Sequence, residues 1–269
     1  MRYGELRWPD IQQMDKQRAV VVCPLASLEQ HGHHLPLLTD TLLVTGVAER
    51  VHQRLSEQVL LTPTLWLGAS DHHLDFPGTV SVRNTIYVEL IKDVARSFVR
   101  AGFRRILFLN GHGGNIAPGE VALTEMANSS DACDAAHLAL GSYWTLASAE
   151  MDAARHGMST PALSHACEYE TSMMLFLHEE LVAMESARGG GPQVVEDHRG
   201  VAVAGRFHRR TRTGALGQPE ASTKEKGETL IQAIVDRVSD FLGDFAEWPF
   251  RDVLPESFGQ DSRAAHPGE

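Results

Sequence analysis

The sequence predicts an α/β protein, with a mainly parallel sheet sandwiched by helices in a single domain. Two observations support this fold class: short apolar runs with the length of buried strands, and segments between them with the apolar spacing of helices. The predicted strands are residues 19–23, 59–65, 105–109 and 136–140. The predicted helices are residues 41–56, 84–101, 117–127, 169–181 and 220–245. Alternating strands and helices favour parallel pairing, with helices on both faces of the sheet.

Several elements carry local signals of their own. The run at 19–23 is uninterrupted and apolar, as expected for a strand that is buried on both faces. Asn84 is a candidate N-cap for the helix predicted at 84–101, and Gly102 is the candidate stop of that helix. The region 188–217 is rich in Gly, Arg and His without a clean period, so we expect an excursion that covers the site or makes subunit contacts.

The ends of the domain follow from composition. The tail 251–269 is polar and contains Pro and Gly, and we predict that it is disordered. The domain is therefore assigned to residues 1–250. Basic residues number 24 against 35 acidic ones, a formal charge of -11, which argues against non-specific binding of nucleic acid. No apolar run approaches the ~20 residues that cross a bilayer.

Three cysteines occur without a paired spacing, and we recognise no signal peptide. A disulfide framework is therefore not expected, and a reducing cytoplasm is the expected location. With 43% hydrophobic and 22% charged residues, the composition is that of an ordinary globular protein.

Potential metal ligands follow two of the predicted strands. Glu29, His31 and Asp40 come after the first strand, and His112 lies in a glycine-rich turn after the third. The carboxyl ends of parallel strands meet at one edge of a sheet, where sites commonly form. Carboxylates and imidazoles together bind divalent cations, so the pattern indicates a metal-dependent hydrolase. A helix cap is the alternative role for Asp40.

A third cluster opens the helix predicted at 169–181. His165 is a candidate acid or base because its ordinary pKa lies near neutrality. Glu168 or Glu170 could point into the site, or could simply favour the start of the helix. Cys167 could be a nucleophile, but a small buried residue is the better interpretation, because no separate base stands beside it.

Two other segments offer candidates for the pocket. Ser70, His72 and His73 follow the second strand and either line the pocket or lie in a solvated loop. The turn around His112 could instead cradle a phosphate. It lacks the Lys-Ser/Thr pair of a P-loop and the G-x-G-x-x-G spacing of a dinucleotide site, which disfavours a nucleotide-binding module.

These motifs together resemble those of the creatininase (creatinine amidohydrolase) family, in order, from about residue 27 to 172. The similar phrases are Ser27-Leu-Glu-Gln-His-Gly-His-His-Leu-Pro, Thr39-Asp-Thr, Phe76-Pro-Gly-Thr79, Asn110-Gly-His-Gly-Gly-Asn115 and His165-Ala-Cys-Glu-Tyr-Glu-Thr-Ser172. The resemblance implies a parallel sheet sandwiched by helices, which agrees with the fold predicted above. It also implies homo-oligomers, often hexamers.

The resemblance implies an amide hydrolase with two divalent metal ions, usually zinc and sometimes manganese or iron. By position, Glu29, His31, Asp40 and His112 match family metal ligands, with Asp40 as the bridge between the ions. Creatininase itself has a glutamate where this chain has Gly114, which makes creatinine a doubtful substrate. The missing ligand is then assigned to Glu168.

Other roles follow from the same resemblance. Glu168 is assigned as a catalytic residue besides its place among the ligands, and Glu170 is the second choice for that ligand. His165 matches a histidine that handles protons near the leaving group. Apart from the resemblance, His33, His34 and His73 are candidates to orient ligands through hydrogen bonds. The predicted substrate-binding residues are Ser70, His73, Gly113 and Trp144, and the basic stretch 206–212 indicates either an anionic substrate group or a solvated face.

The predicted function is hydrolysis of a C–N bond in a cyclic amide, a formamide or a related small amide by a metal-activated water. Relatives with this glycine-rich turn include formamide hydrolases, the peptide-cleaving maturase of mycofactocin and inosose-ring hydrolases. The alternatives are therefore opening of a cyclic ketone ring and cleavage of a peptide. A mononuclear site also stays open, whereas a structural zinc site is disfavoured because such sites use closed sets of Cys and His.

Overall fold

Four parallel strands form one sheet in the order β2-β1-β3-β4 in the computed structural model, which describes residues 1–128, 136–154, 157–190 and 205–250. The strands are β1 (Val20–Leu25), β2 (Val59–Leu61), β3 (Arg105–Asn110) and β4 (His137–Ser142). The predicted α/β class with a parallel sheet in a single domain is confirmed.

Helices cover both faces of this sheet. In chain order they are α1 (Trp8–Gln13), α2 (Thr39–Arg54), α3 (Asn84–Arg100), α4 (Ile116–Ala127), α5 (Tyr143–Leu146), α6 (Ser148–Ala154), α7 (Glu168–His178) and α8 (Lys224–Glu247). Helices α2, α7 and α8 share one apolar core with the sheet, and α3 and α4 share the other. Every residue of β1 and β3 is buried, because helices pack on both sides of these strands.

The register of the sheet sets the position of the site. Leu25 at the end of β1 pairs with Asn110 at the end of β3, and Asn110 pairs with Ser142 at the end of β4. Three strands therefore end at the same level. The loops that follow them begin side by side, and their side chains can converge on one point.

Apolar periodicity explains the longer helices. In α3, the side chains of Tyr87, Ile91 and Ala95 are spaced four residues apart and are all buried. Gly102 follows α3 with a φ of +99°, a left-handed conformation that glycine adopts without strain, so the predicted stop is confirmed. Asn84 is the first residue of the helix, and Arg83 occupies the cap position instead.

Element boundaries differ from the predictions for local reasons. The strand predicted at 59–65 ends at Leu61, because Pro63 has no backbone N–H to pair. The helix predicted at 169–181 ends at His178 and continues as a single 3-10 turn. The short helices α1, α5 and α6 were not predicted. The predicted disordered tail 251–269 and residues 191–204 of the excursion lie outside the described residues.

None of the helices within the described ranges is long and apolar enough to cross a membrane.

Candidate metal centre

The loops after β1, β2 and β3 and the start of α7 surround a cleft of about 410 Å³ beyond the carboxyl ends of the strands. Its lining residues are Glu29, Asp40, His72, His73, Gly111, His112, Gly113, Gly114, Ile116, Trp144, Leu163, Ser164, His165, Glu170, Phe207 and Arg210. The sequence predicted a site at this edge of the sheet, and the structure brings most of the candidate residues together there.

The loop after β1 folds back on itself and directs two side chains inward. The backbone N–H of Glu29 donates to Leu37 O at 3.0 Å, and Gly32 takes a φ of +70° at the bend. Glu29 and His31 are consequently buried, with exposed fractions of 1% and 0%. Asp40 lies in the first turn of α2 but caps nothing, since Leu38 occupies the cap position.

Asp40 faces a different imidazole with each oxygen of its carboxylate. Its Oδ1 lies 3.0 Å from His31 Nε2, and its Oδ2 lies 2.9 Å from His112 Nδ1. Ser27 Oγ also donates a hydrogen bond to Oδ2 at 2.7 Å. One carboxylate therefore stands between two separate imidazole ligands, which is the arrangement that a bridge between two cations requires.

The outer nitrogens of both histidines are held by backbone carbonyl groups. His31 Nδ1 lies 3.1 Å from Glu29 O, and His112 Nε2 lies 3.3 Å from Ala69 O. A carbonyl oxygen can only accept, so each outer nitrogen carries the hydrogen and each inner nitrogen presents its lone pair. Those lone pairs point at Asp40, which is also an acceptor. Each contact therefore needs a positive charge between the imidazole and the carboxylate, which either a metal cation or a second proton on the ring can supply.

A proton takes the place of that cation in the metal-free protein. Burial lowers the pKa of both imidazoles, but the nearby negative charges of Asp40 and Glu29 outweigh this effect. The pKa of His31 rises to about 10 and that of His112 to about 9. Burial opposes ionisation of Asp40, yet the charges of the same two histidines hold its pKa well below the ordinary range.

The carboxylate of Glu29 is surrounded by three imidazole groups. Its Oε1 lies 3.4 Å from His112 Nδ1, 3.4 Å from His73 Nε2 and 3.5 Å from His165 Nδ1. Its Oε2 is buried without a hydrogen-bond partner. Burial raises the pKa of this carboxyl to about 6. A buried carboxylate oxygen with no donor is costly unless a cation is bound there.

The structure places Glu170, not Glu168, beside the other candidate ligands. His31, Asp40 and Glu170 form a group whose ligand atoms lie within 4.8 Å of one another. Glu170 Oε2 accepts a hydrogen bond from Ala166 N at 2.5 Å, and burial raises the pKa of this carboxyl to about 8.

Glu168 turns away from the cluster and forms a partly buried ion pair. Its Oε1 lies 2.6 Å from Lys226 Nζ, and its Oε2 accepts hydrogen bonds from Ser159 N and Thr160 N at 2.8 and 2.6 Å. Residues two apart on a helix point about 200° away from each other, so only one of these glutamates can face the cleft. The prediction of Glu168 as ligand and catalytic residue thus does not agree with where its side chain lies.

His165 lines the cleft, and Gln30 holds it from behind. His165 Nε2 lies 2.7 Å from Gln30 O, so that nitrogen carries the hydrogen and Nδ1 faces Glu29 with a free lone pair. The side-chain amide of Gln30 donates to Gly214 O at 3.0 Å and lies 2.9 Å from His73 Nδ1. Burial lowers the pKa of His165 well below its ordinary value, which keeps the ring neutral.

The predicted substrate-binding residues divide into two groups. His73, Gly113 and Trp144 line the cleft, and the space around a Cβ built on Gly113 is open. Ser70 is fully buried behind the cluster, with its Oγ 3.2 Å from His112 Nε2. Ser70 therefore supports a candidate ligand instead of facing the cleft.

Three other sequence candidates lie outside the cluster of ligands. His34 is buried beside Thr171, at 2.8 Å, whereas His33 is exposed. Cys167 is fully buried, and burial raises the pKa of its thiol to about 11. A thiol with that pKa is a poor nucleophile, which favours the interpretation of Cys167 as a small buried residue.

Some site residues were missed by sequence reasoning. Gln30 lies between two candidate ligands, and its position in the loop was the signal that could have identified it. Phe207 packs against the rings of His73 and His165, with centroids 4.2 and 4.7 Å apart. No local pattern distinguishes this phenylalanine from one in the core.

The donor set fits divalent cations. Two nitrogen or oxygen ligands bound at ~2.1 Å to one cation lie roughly 3.0–3.4 Å apart. The contacts of Asp40 and Glu29 with the imidazoles measure 2.9–3.5 Å. Carboxylates and imidazoles also leave coordination positions open for water, unlike the closed sets of structural sites.

Comparison with known proteins gives a family match over most of the chain. The family model of creatininase, described as creatinine amidohydrolase, matches residues 4–242. The mycofactocin precursor peptide peptidase of Mycobacterium tuberculosis is 33% identical over 91% of this chain and 92% of its own length.

Other relatives carry different activities. Creatinine amidohydrolase of Pseudomonas putida is 28% identical over 89% of this chain and 95% of its own length. The 3-dehydro-scyllo-inosose hydrolase of Thermotoga maritima is 27% identical over 86% of this chain and 79% of its own length.

Solved creatininase structures have the same fold. A mutant creatininase of the Zn-Zn type matches with a TM-score of 0.76 at 27% identity, over 92% of this chain and 98% of that one. A creatininase described with Mn matches with a TM-score of 0.75 at 27% identity, over 92% and 99%.

Proposed function

Because the chain belongs to the creatininase family and is a hydrolase of that family, we propose that it cleaves the C–N bond of an amide with a metal-activated water. The observation that carries the proposal is the placement of Asp40, whose two oxygens each face the lone pair of a different buried imidazole. With neutral imidazoles neither contact is satisfied by a hydrogen bond, and two bound cations would satisfy both.

Two groups of side chains that share Asp40 would hold the ions. His31, Asp40 and Glu170 would form the first metal position. Glu29, Asp40 and His112 would form the second, with Glu29 Oε1 3.4 Å from His112 Nδ1. Zinc is our first choice for both positions, with manganese or iron as alternatives, because mixed imidazole and carboxylate sets suit these ions.

Two divalent cations at such a cluster supply a water with a pKa near neutrality and polarise the carbonyl group of the substrate. His165 then handles protons at its Nδ1, whose lone pair faces Glu29 Oε1 at 3.5 Å. Its Nε2–H stays on Gln30 O, so the ring keeps one orientation while Nδ1 accepts a proton from the attacking water and donates it to the departing nitrogen.

The cleft excludes a ligand at the position where the resemblance implies a glutamate in creatininase. A Cβ on Gly114 would lie 2.2 Å from Ala69 O and 2.5 Å from His112 Nε2. No side chain is accommodated there, so this loop supplies only His112 to the metals. We therefore propose an amide other than creatinine as the substrate.

Elemental analysis after chelation and reconstitution tests the metal proposal directly. We expect about two zinc, manganese or iron ions per chain in the unchanged protein. Asp40→Asn should lose at least one ion, because the bridge loses a charge. Asp75→Asn is the matched control, since Asp75 lies near the cleft but pairs with Arg206 and His208. A single ion per chain would favour a mononuclear site, and none would refute the proposal.

A substrate panel tests the reaction. The reconstituted protein should either open the ring of a cyclic amide, which gives an amine and a carboxylate on one molecule, or release formate and an amine from a formamide. Peptide cleavage is the second candidate, because the peptide peptidase relative is 33% identical. Ring opening of a cyclic ketone is the third, because of the inosose hydrolase relative. Turnover of ketones without turnover of any amide would refute C–N bond cleavage.

A further inference from the structure

The turn around Phe207 carries four basic side chains, of which two are paired with Asp75. Arg206 Nη1 lies 2.9 Å from Asp75 Oδ1, and His208 Nδ1 lies 2.7 Å from Asp75 Oδ2. These contacts attach the turn to the loop that carries His73. The turn is thereby fixed at the edge of the cleft, where it places the side chain of Arg210.

Arg210 has no anionic partner within the described ranges. Its side chain lines the cleft, with the guanidinium carbon 5.5 Å from the centre of the Phe207 ring. Its Nε is buried and has no hydrogen-bond acceptor. A buried donor left without an acceptor is costly, and a bound ligand that supplied one would recover that cost.

Phe207 connects Arg210 to the centre of the site. The ring that contacts the guanidinium also packs against His165 and His73, with centroids 4.7 and 4.2 Å apart. An acceptor bound to Arg210 would thus be one aromatic ring away from the histidine that handles protons. A substrate with only a few bonds between its acceptor group and its amide can therefore reach both Arg210 and His165.

The charge of the loaded cleft favours an anion. The cluster has three carboxylates, those of Glu29, Asp40 and Glu170. Two divalent cations exceed them by one positive charge, and Arg210 adds a second. A cleft with excess positive charge attracts anionic ligands.

We infer that Arg210 binds a carboxylate of the substrate, so that the hydrolase acts on amides with an anionic group close to the scissile bond. The inference rests on the proposed amide hydrolase function and identifies the substrate class. A guanidinium donates two parallel hydrogen bonds to a carboxylate, a geometry that a lysine cannot reproduce. Trp144 and Leu163, which also line the cleft, offer apolar contacts to the part of the substrate between its two ends.

Binding of two hydroxamates to the zinc-loaded protein tests this inference without a known substrate. Acetohydroxamate binds metal through its hydroxamate group alone, and succinohydroxamate has the same group and an additional carboxylate. We expect succinohydroxamate to bind the unchanged protein at least about tenfold more tightly, as a charge-assisted hydrogen bond would give. Isothermal titration calorimetry measures both affinities.

Arg210→Gln should abolish the advantage of succinohydroxamate and leave the affinity for acetohydroxamate unchanged. The unchanged affinity also shows that the variant is folded and loaded with metal. Arg210→Lys should keep part of the advantage. Arg209→Gln is the matched control, because Arg209 is the adjacent exposed arginine and does not line the cleft.

The outcomes separate the inference from the proposed function. Equal binding of both hydroxamates to the unchanged protein, or an advantage that persists in Arg210→Gln, would overturn the role of Arg210 alone. Failure of zinc uptake, or of any hydroxamate binding by the loaded protein, would overturn the proposed function and the inference with it.

The carboxylate belongs either to a small acid or to the C-terminus of a peptide. Competition against succinohydroxamate distinguishes them, with succinate, an N-acetyl dipeptide and the C-terminal amide of that dipeptide as competitors. Stronger displacement by the dipeptide acid assigns a peptide, and stronger displacement by succinate assigns a small acid. Displacement by the dipeptide amide as strong as by either acid would contradict recognition of a carboxylate.

Discussion

At the scale of single residues, Glu168 and Glu170 show what the sequence can and cannot predict. Both are acidic, both open the same helix, and both match the motif of the resemblance. Only the rotation of α7 decides between them, and that rotation depends on the packing of α7 against α2 and α8. By contrast, Glu29, His31, Asp40 and His112 could be selected from the sequence, because each follows a strand that the apolar pattern predicts.

The two glutamates should respond differently to the same substitution. Glu170→Gln should lower metal content and reduce turnover by at least about 100-fold, because the variant loses a charged ligand at the first metal position. Glu168→Gln should keep the metals but lower the free energy of unfolding by about 1–3 kcal/mol, because Lys226 loses its partner. Elemental analysis and thermal unfolding measure the two effects. Loss of metal in Glu168→Gln but not in Glu170→Gln would instead support Glu168 as the metal ligand.

At the scale of elements, the helices were predicted where apolar residues repeat, and their ends were harder to predict. The third helix was predicted to within one residue at its end because Gly102 marks it. The last helix, by contrast, begins at Lys224 and not at residue 220, because Thr223 caps it. The short helices α1, α5 and α6 escaped prediction because segments of four to seven residues are too short to show a period.

The cap of α8 can be tested independently of the metals. Thr223 Oγ1 accepts a hydrogen bond from Lys226 N at 3.3 Å. Thr223→Ala should therefore lower the free energy of unfolding by about 1 kcal/mol. Thr229→Ala is the control, because the hydroxyl of Thr229 donates a hydrogen bond to Glu225 O within the same helix and caps no helix end. Chemical denaturation measures both variants, and equal effects would contradict the capping role.

At the scale of the whole molecule, the order of elements was predictable and the geometry of the cleft was not. Alternating strands and helices predict a parallel sheet, and sites in such sheets form beyond the carboxyl ends of the strands. Arg210 is paired neither with Asp75 nor with another described carboxylate, and only the folded turn reveals this. The homo-oligomer implied by the resemblance stays a prediction, for which sedimentation of the loaded protein is the measurement.

The pH dependence of stability should reverse with metal content. In the metal-free protein the pKa of Glu170 is about 8, raised by burial from 4.5, and those of His31 and His112 are about 10 and 9, raised from 6.5 mainly by Asp40 and Glu29. Between pH 6.5 and 8 the folded chain thus holds more protons than the unfolded chain. Its stability must fall as the pH rises through this window.

Thermal unfolding with and without a chelator checks this sign. We expect the Tm of the metal-free protein to fall from pH 6.5 to 8, and the loaded protein to keep or gain stability because the metals replace these protons. Glu170→Gln should reduce the slope of the metal-free protein. A metal-free Tm that rises over this interval would contradict the assignment of these protons.

The first metal position also bears on which parts of the protein separate during local unfolding. His31 and Asp40 come from the loop after β1 and the start of α2, and Glu170 comes from α7, so an ion bound by all three would join segments far apart in the chain, as a crosslink does. The side chains of all three are buried. Separation of α2 from α7 would remove at least one of these ligands, so the bound ion would oppose that local unfolding. Loading with metal would then protect the amides of these two helices from hydrogen exchange more than those of helices that carry no ligand.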